Sequence, residues 1–158
     1  MAKTNPSTVL LKEVGEALYK EFPLAALDAC GNGAITPGML VELSAGEVRP
    51  HSSSAGVAAP VMIAVEGLNL DASSATMGDI DTDYDDDGAA VKVWYPKQGA
   101  EAYAFLVVGG NVAAQALLES NGDGYLKAGT TNPVARTLEA KNNSAGSSAA
   151  RVKVEVIS

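Results

Sequence analysis

The chain predicts a mainly β fold: a small β-barrel or β-tulip-like domain with an extended N-terminal arm. Three observations predict it. Arg151-Val152-Lys153-Val154-Glu155-Val156-Ile157 alternates strictly, valines on one face and charges on the other, the period of a half-buried strand. Short apolar runs recur along the chain, each bounded by glycine, proline, serine or asparagine, as in barrels and sandwiches. Hydrophobic residues make up 47% of the 158 but aromatics only 5%, so the core is built of small side chains. Such a core gains modest packing energy per residue and favours support from partner subunits.

Taken in order, residues 1–8 form the arm. It is polar, carries Pro6, and is either disordered or held by a neighbour. Residues 9–158 form a single β domain, the default at this length. Thr8 to Lys20 reads two ways. Val9, Leu10, Val14, Ala17 and Leu18 could line a helix capped by Ser7 or Thr8. Gly15 in its middle would cost such a helix ~1 kcal/mol, and extended structure is the preferred reading. Phe22-Pro23 stops any helix, because the residue before proline avoids the α region. Pro37-Gly38 fits the central pair of a type II turn, with proline presetting φ and glycine accepting a positive one. Met39 to Leu43 is then a strand that turns through Ser44-Ala45-Gly46 onto Glu47-Val48-Arg49. Pro60 to Val65 reads as a buried strand. Val91 to Tyr95 and Tyr103 to Val108 read as one hairpin joined by Pro96 to Ala100. Val112 to Glu119 is alanine-rich and fits strand or helix; its glycine boundaries favour strand. In Asn121-Gly122-Asp123-Gly124, Gly122 and Gly124 supply the positive φ of a turn. Val134 to Ala140 follows, and then the alternating strand from Arg151 to Ile157.

The residues that carry chemistry elsewhere are sparse here. Asp79 to Gly88 holds six aspartates in ten residues, too much charge for a buried strand. Asp83-x-Asp85-x-Asp87-Gly88 matches the first half of an EF-hand loop, where alternate carboxylates converge on a cation. The second half fails, because Trp94 stands where the bidentate acid belongs. A solvated acidic loop is the preferred reading. Asp83, Asp85 and Asp87 are the weak candidates for a divalent site, and no cofactor is expected. His51 is the single histidine and sits beside a serine run, without a nucleophile turn or an oxyanion signal. It reads as an exposed loop residue. Cys30, the single cysteine, has no basic cluster to activate it and reads as a buried spectator. No phosphate-binding glycine loop and no carboxylate dyad stands out. The expectation is a protein that is not an enzyme.

Composition narrows the partners. A net charge of −8 argues against a nucleic-acid backbone or an anionic membrane. One cysteine allows no intrachain disulfide and suits a reducing compartment. The N-terminal residues lack the apolar stretch of a secretory signal, and no run approaches the ~20 residues that span a bilayer.

Three stretches, in order, resemble a known family. They are Ile35-Thr36-Pro37-Gly38-Met39-Leu40-Val41-Glu42, the aspartate-rich loop leading into Gly88 and a strand, and Val134-Ala135-Arg136-Thr137-Leu138-Glu139-Ala140. Together they resemble the head decoration, or capsid cement, proteins of tailed bacteriophages. The opening Met1-Ala2-Lys3-Thr4-Asn5-Pro6 resembles the N-terminal arm of that group. Val112 to Leu126 is similar to a hairpin of the family, departing at Gln115-Ala116, where a glycine is usual. The resemblance covers most of the chain, but its motifs are turns and not catalytic signatures. It implies a compact β-barrel or β-tulip-like domain on the outer capsid surface of the virion, assembled in the host cytoplasm. It implies the phage major capsid protein as partner, and self-association as a homotrimer at three-fold and quasi-three-fold positions. Lys3, Thr4, Asn5 and Pro6 would belong to the capsid-binding arm. Two other readings stay open. One is a tail- or fibre-associated phage β domain. The other is a small calcium-dependent carbohydrate-binding domain, with Trp94 as its single tryptophan.

Overall fold

The computed structural model describes residues 8–27, 33–55, 60–71, 74–77, 80–86 and 88–158. Among them are fifteen strands and no helix. The first seven are β1 (Leu10–Lys12), β2 (Tyr19–Pro23), β3 (Val41–Ser44), β4 (Glu47–Pro50), β5 (Ile63–Ala64), β6 (Leu68–Asp71) and β7 (Ser74–Met77). Then come β8 (Ala90–Trp94), β9 (Glu101–Leu106), β10 (Asn111–Val112), β11 (Leu117–Ser120), β12 (Leu126–Ala128), β13 (Ala135–Thr137), β14 (Lys141–Asn142) and β15 (Ala150–Val156). The mainly β fold read from the sequence is the fold of the protein.

Five strands close a barrel: β9 pairs with β12, β12 with β11, β11 with β13, β13 with β15, and β15 returns to β9. Its longest seam runs from Ala150 opposite Leu106 to Glu155 opposite Glu101. Only β12 and β9 meet in parallel, at Leu126 and Leu106. β12 covers one end of that edge of β9, and β1 takes the other, with Leu10 opposite Ala102 and Lys12 opposite Glu101. The alternation of residues 151–156 therefore has a cause. Val152, Val154 and Val156 point into the barrel against Ala102, Ala104 and Leu106, while Arg151, Lys153 and Glu155 lie outside. A five-stranded barrel is narrow, and alanine and valine fill it. The void left, lined by residues such as Leu40, Ile63, Leu126 and Val154, measures about 10 Å³.

A second core lies beside the barrel, between the sheet β2-β8-β5 and the hairpin β3–β4. It gathers Leu24, Ile35, Val41, Val48, Val91 and Val93. Strand β8 serves both cores: Val91 and Val93 enter the second, and Trp94, on the opposite face, enters the barrel core.

Several expected elements are corrected. Val91–Tyr95 and Tyr103–Val108 do not form a hairpin. β8 pairs with β2 and β5, whereas β9 gives its edges to β15, β12 and β1. The connection explains this: Gly99 N–H donates to Val156 O and Val156 N–H to Ala100 O, both at 2.8 Å. The turn is thereby held on the end of β15, and the chain passes from one sheet to the other. Regular pairing in the 60–65 run is confined to Ile63–Ala64, although Val61 to Val65 are all buried. The alanine-rich 112–119 segment is not one strand but parts of β10 and β11, separated by a turn in which Gln115 has φ +67°. Thr8 to Lys20 holds no helix: β1 and the start of β2 are extended, as preferred, and between them the chain bends at residues 14–16, where Gly15 has φ +77°.

The Pro37-Gly38 turn has type II geometry. Gly38 has φ +103°, and Met39 N–H donates to Thr36 O at 3.0 Å. A Cβ on Gly38 would lie 2.7 Å from Arg151 Nη1 and 2.9 Å from Tyr103 O, so glycine is required for packing as well as for φ.

Candidate functional site

Three side-chain constellations join the outer layer to the barrel, and the sequence-derived candidates fall on them. The first fixes the root of the N-terminal segment. Glu66 is buried; its carboxylate accepts from the Thr8 hydroxyl and, at 3.1 Å, from Val9 N–H. Tyr103 N–H then donates to Val9 O at 2.8 Å. The folded body thus takes in Thr8, while Lys3, Thr4, Asn5 and Pro6 lie outside the described residues. Downstream, Trp94 Nε1 donates to the Glu13 carboxylate, Tyr95 N–H to Leu18 O, and Lys97 Nζ to Glu16 O. This pinned segment nevertheless turns Leu11, Val14, Leu18 and Tyr19 to solvent, Leu18 at 49% exposure. Strand β2 beside it is the last strand of its sheet. Leu18 O and Leu24 N–H bond toward β8 and its flank, so the main chain of Tyr19 and Glu21 points the other way. Within β2 itself no described strand pairs with that edge, and just past it Ala25 N–H donates to Val48 O of β4 at 2.9 Å. Pro23, which cannot donate, limits its length.

The second constellation is the acidic loop. Asp83, Asp85 and Asp86 are exposed, as expected, but the loop is tied down. Arg151 Nη2 donates to Ile80 O at 2.6 Å and to Asp81 Oδ1 at 3.1 Å, and Nη1 donates to Pro37 O at 2.8 Å. The same guanidinium lies 4.4 Å from the Phe105 ring centroid. The Thr36 hydroxyl donates to Asp83 at 2.6 Å, and the main chains of Tyr84 and Ile35 exchange two hydrogen bonds. Burial pushes the Tyr125 hydroxyl pKa up, and Asp123 and Asp83 add to this, so the acidic loop and the Asn121–Gly124 turn converge there. Asp87 lies outside the described residues, as do Asp79 and Cys30. No group of three metal-binding side chains occurs among the described residues. Trp94 is fully buried, which leaves the sequence's single tryptophan unable to stack on a sugar.

The third corrects the reading of His51. It is not an exposed loop residue: its exposure is 3%. Its N–H donates to Leu40 O at 3.0 Å and its carbonyl accepts from Gly124 N–H at 3.1 Å, which turns the ring inward. Nδ1 lies 2.7 Å from Ser120 Oγ, and Nε2 lies 3.8 Å from Glu42 Oε2. A Nε2–H tautomer faces the carboxylate and leaves Nδ1 to accept from the hydroxyl. Burial pushes the His51 pKa below its ordinary value, against the pull of Glu42. Burial pushes Glu42 up, but hydrogen bonds from Ser52 and Arg49, with His51, outweigh it and hold the carboxyl below the usual range. The serine, histidine and acid copy a hydrolase triad in composition. Ser120, however, is fully buried and also accepts from Gly122 N–H at 3.2 Å, so its oxygen has no path to a substrate. The group is a stitch between β3–β4 and β11.

One of these roles could have been sought in the sequence. Ser120 ends an apolar strand and needs a polar partner there. Arg151 is the one residue of its strand whose charge faces the Pro37-Gly38 turn, and nothing local reveals that. Among the described residues, no buried side-chain polar atom lacks a partner. No family model and no curated protein matches this chain.

Proposed function

We propose that the protein is a capsid decoration protein, a non-catalytic subunit that binds the outer surface of a phage head and reinforces the lattice of the major capsid protein. The observation that carries this reading is the N-terminal segment: rooted by Glu66, pinned by Glu13 and Lys97, and still presenting Leu11, Val14, Leu18 and Tyr19 outward. Apolar side chains on a rigid support are what a partner surface covers. The open edge of β2 offers main-chain groups beside them for strand addition. The resemblance in the turn motifs and the arm points the same way, as does an acidic surface that keeps particles soluble. Self-association as a homotrimer would multiply weak contacts into durable attachment.

The test is binding to purified heads. The full chain is expected to bind expanded heads and not the unexpanded precursor, and to raise the temperature at which full heads burst. Removing residues 1–7, a cut that spares the Thr8–Glu66 contact, should leave the melting temperature of the free domain unchanged and weaken head binding. Leu18→Glu should weaken it further. Equal protection by the truncated chain would remove the arm from the grip. Absence of binding by any form would move the reading to a tail- or fibre-associated phage component.

A further inference from the structure

Asn121-Gly122 is the dipeptide in which an asparagine amide cyclises most readily, because glycine offers no side chain to hinder attack. In that reaction Gly122 N gives up its proton and attacks Asn121 Cγ. The Cγ–Nδ2 bond breaks and ammonia leaves, carrying the proton away. Water then opens the resulting succinimide at either carbonyl, giving aspartate or isoaspartate. No oxidant or cofactor enters; ammonia is exchanged for water.

The structure holds both reacting groups. The attacking Gly122 N–H donates to Ser120 Oγ at 3.2 Å, and that hydroxyl is itself fixed at 2.7 Å from His51. The departing amide Nδ2 donates to Asp123 Oδ2 at 2.8 Å, which restrains the side chain from rotating toward attack. The other oxygen, Oδ1, accepts from Tyr125 N–H at 3.1 Å, so both carboxylate oxygens are engaged. Asn121 N–H donates to Tyr125 O at 2.9 Å and fixes the residue's own backbone. Ser52 O and Ser54 N pack over the Gly122 Cα, at 3.3 and 2.8 Å from where a Cβ would stand, so the turn has little room to rotate.

We propose that Asn121 is a latent deamidation site, held closed by the Ser120 hydroxyl on the attacking nitrogen and the Asp123 carboxylate on the leaving amide. It reacts when the turn opens. Isoaspartate there adds a methylene to the main chain of the turn whose Gly124 N–H holds His51 O, so the reaction also loosens the third stitch.

The experiment incubates the folded parent, the urea-unfolded parent, Ser120→Ala and Asp123→Ala at 37 °C and mildly alkaline pH. Peptide mapping with isoaspartate detection separates Asn121 from Asn32-Gly33, the other such pair. The folded parent is expected to deamidate at Asn121 far more slowly than the unfolded chain. Each variant should accelerate the reaction about fivefold, the factor carried by one typical hydrogen bond. Circular dichroism confirms that each variant is folded. If Ser120→Ala fails to fold, Asp123→Ala decides, since its side chain is exposed. Equal rates in folded and unfolded parent, or no acceleration in either folded variant, overturns the proposal.

Discussion

The barrel and the layer beside it are held by different forces. Barrel strands close on one another through main-chain hydrogen bonds around a core rich in alanine, valine and leucine, with the Arg136–Glu155 and Lys127–Glu119 pairs lying across the β13–β15 and β12–β11 seams. The outer layer has its own small core, but long-range side-chain contacts do much of the fastening to the barrel: Arg151 on Ile80 and Pro37, His51 on Ser120, Glu13 on Trp94, Glu66 on Thr8 and Val9, beside a few main-chain bonds that tie Leu40 and His51 to Gly124 and Ala55 to Ser120. A closed ring fails as a whole. A layer held by a few hydrogen bonds can loosen locally while the ring persists.

The largest effect is expected from a change in the barrel. Leu118→Ala should cost about 2–5 kcal/mol, as other buried leucine truncations do. Because Trp94 sits in the same core, its fluorescence and the far-ultraviolet circular dichroism should lose midpoint together in urea. A fluorescence midpoint left in place would mean that the two regions unfold independently. Next in size is Arg151→Met, which keeps the stem and removes the guanidinium. A cost of about 1.5–3 kcal/mol is expected for charged hydrogen bonds of this burial. Amide exchange at residues 80–84 should rise sharply while that of β9 and β15 stays slow. Equal acceleration in both would make the clamp part of the barrel.

Smaller again is His51→Gln, worth about 1 kcal/mol at pH 7 for one neutral hydrogen bond. It also carries a pH signature. The folded-state pKa of His51 lies below the unfolded value of 6.5, so the unfolded chain binds a proton more readily. Parental stability should therefore be complete above pH 6.5 and fall as pH drops below it. Glu42, held below its ordinary 4.5, adds a second loss at more acid pH. The variant should lack the first decline and keep part of the second; an unchanged profile would mean that His51 is not the titrating group. The smallest effect belongs to Asp85 and Asp86. Changing both to asparagine should shift stability by no more than about 0.5 kcal/mol, and toward stabilisation at low salt. Asp83→Asn should cost more, because it weakens the contact with Thr36.

The strands were legible wherever a single chain segment carries its own pattern. Residues 151–156 alternate, and the 41–50 hairpin announces itself through Ala45-Gly46, both at positive φ. The pairing of β8 was not legible. Alternation tells which face of a strand is buried but not which strand lies alongside, and nearness in sequence favoured Tyr103–Val108. The acidic loop was recognised as exposed, but its restraint comes from an arginine 70 positions away from Asp81. His51 was misread for a similar reason. Its partner Ser120 is 69 positions distant, and a proline before and serines after gave it the local look of a loop. Local sequence specified the elements, and long-range polar contacts decided how they were fastened.

The sharing of β9 between β1, β12 and β15 sets an order of events during synthesis. β1 leaves the ribosome first but has no place to go until residues 101–102 have followed it. The barrel cannot close until residues 150–155 are available to pair with 101–106. The nascent chain therefore carries Leu10 through most of its elongation with its partner strand β9 not yet made, and Leu18 waits almost as long for Tyr95, which donates to its carbonyl. At roughly 5–20 residues per second this interval lasts several seconds, long on the scale of strand pairing. The lysines and glutamates interspersed at Lys12, Glu13, Glu16, Lys20 and Glu21 are well placed to keep that waiting segment from pairing with its neighbours on the same polysome.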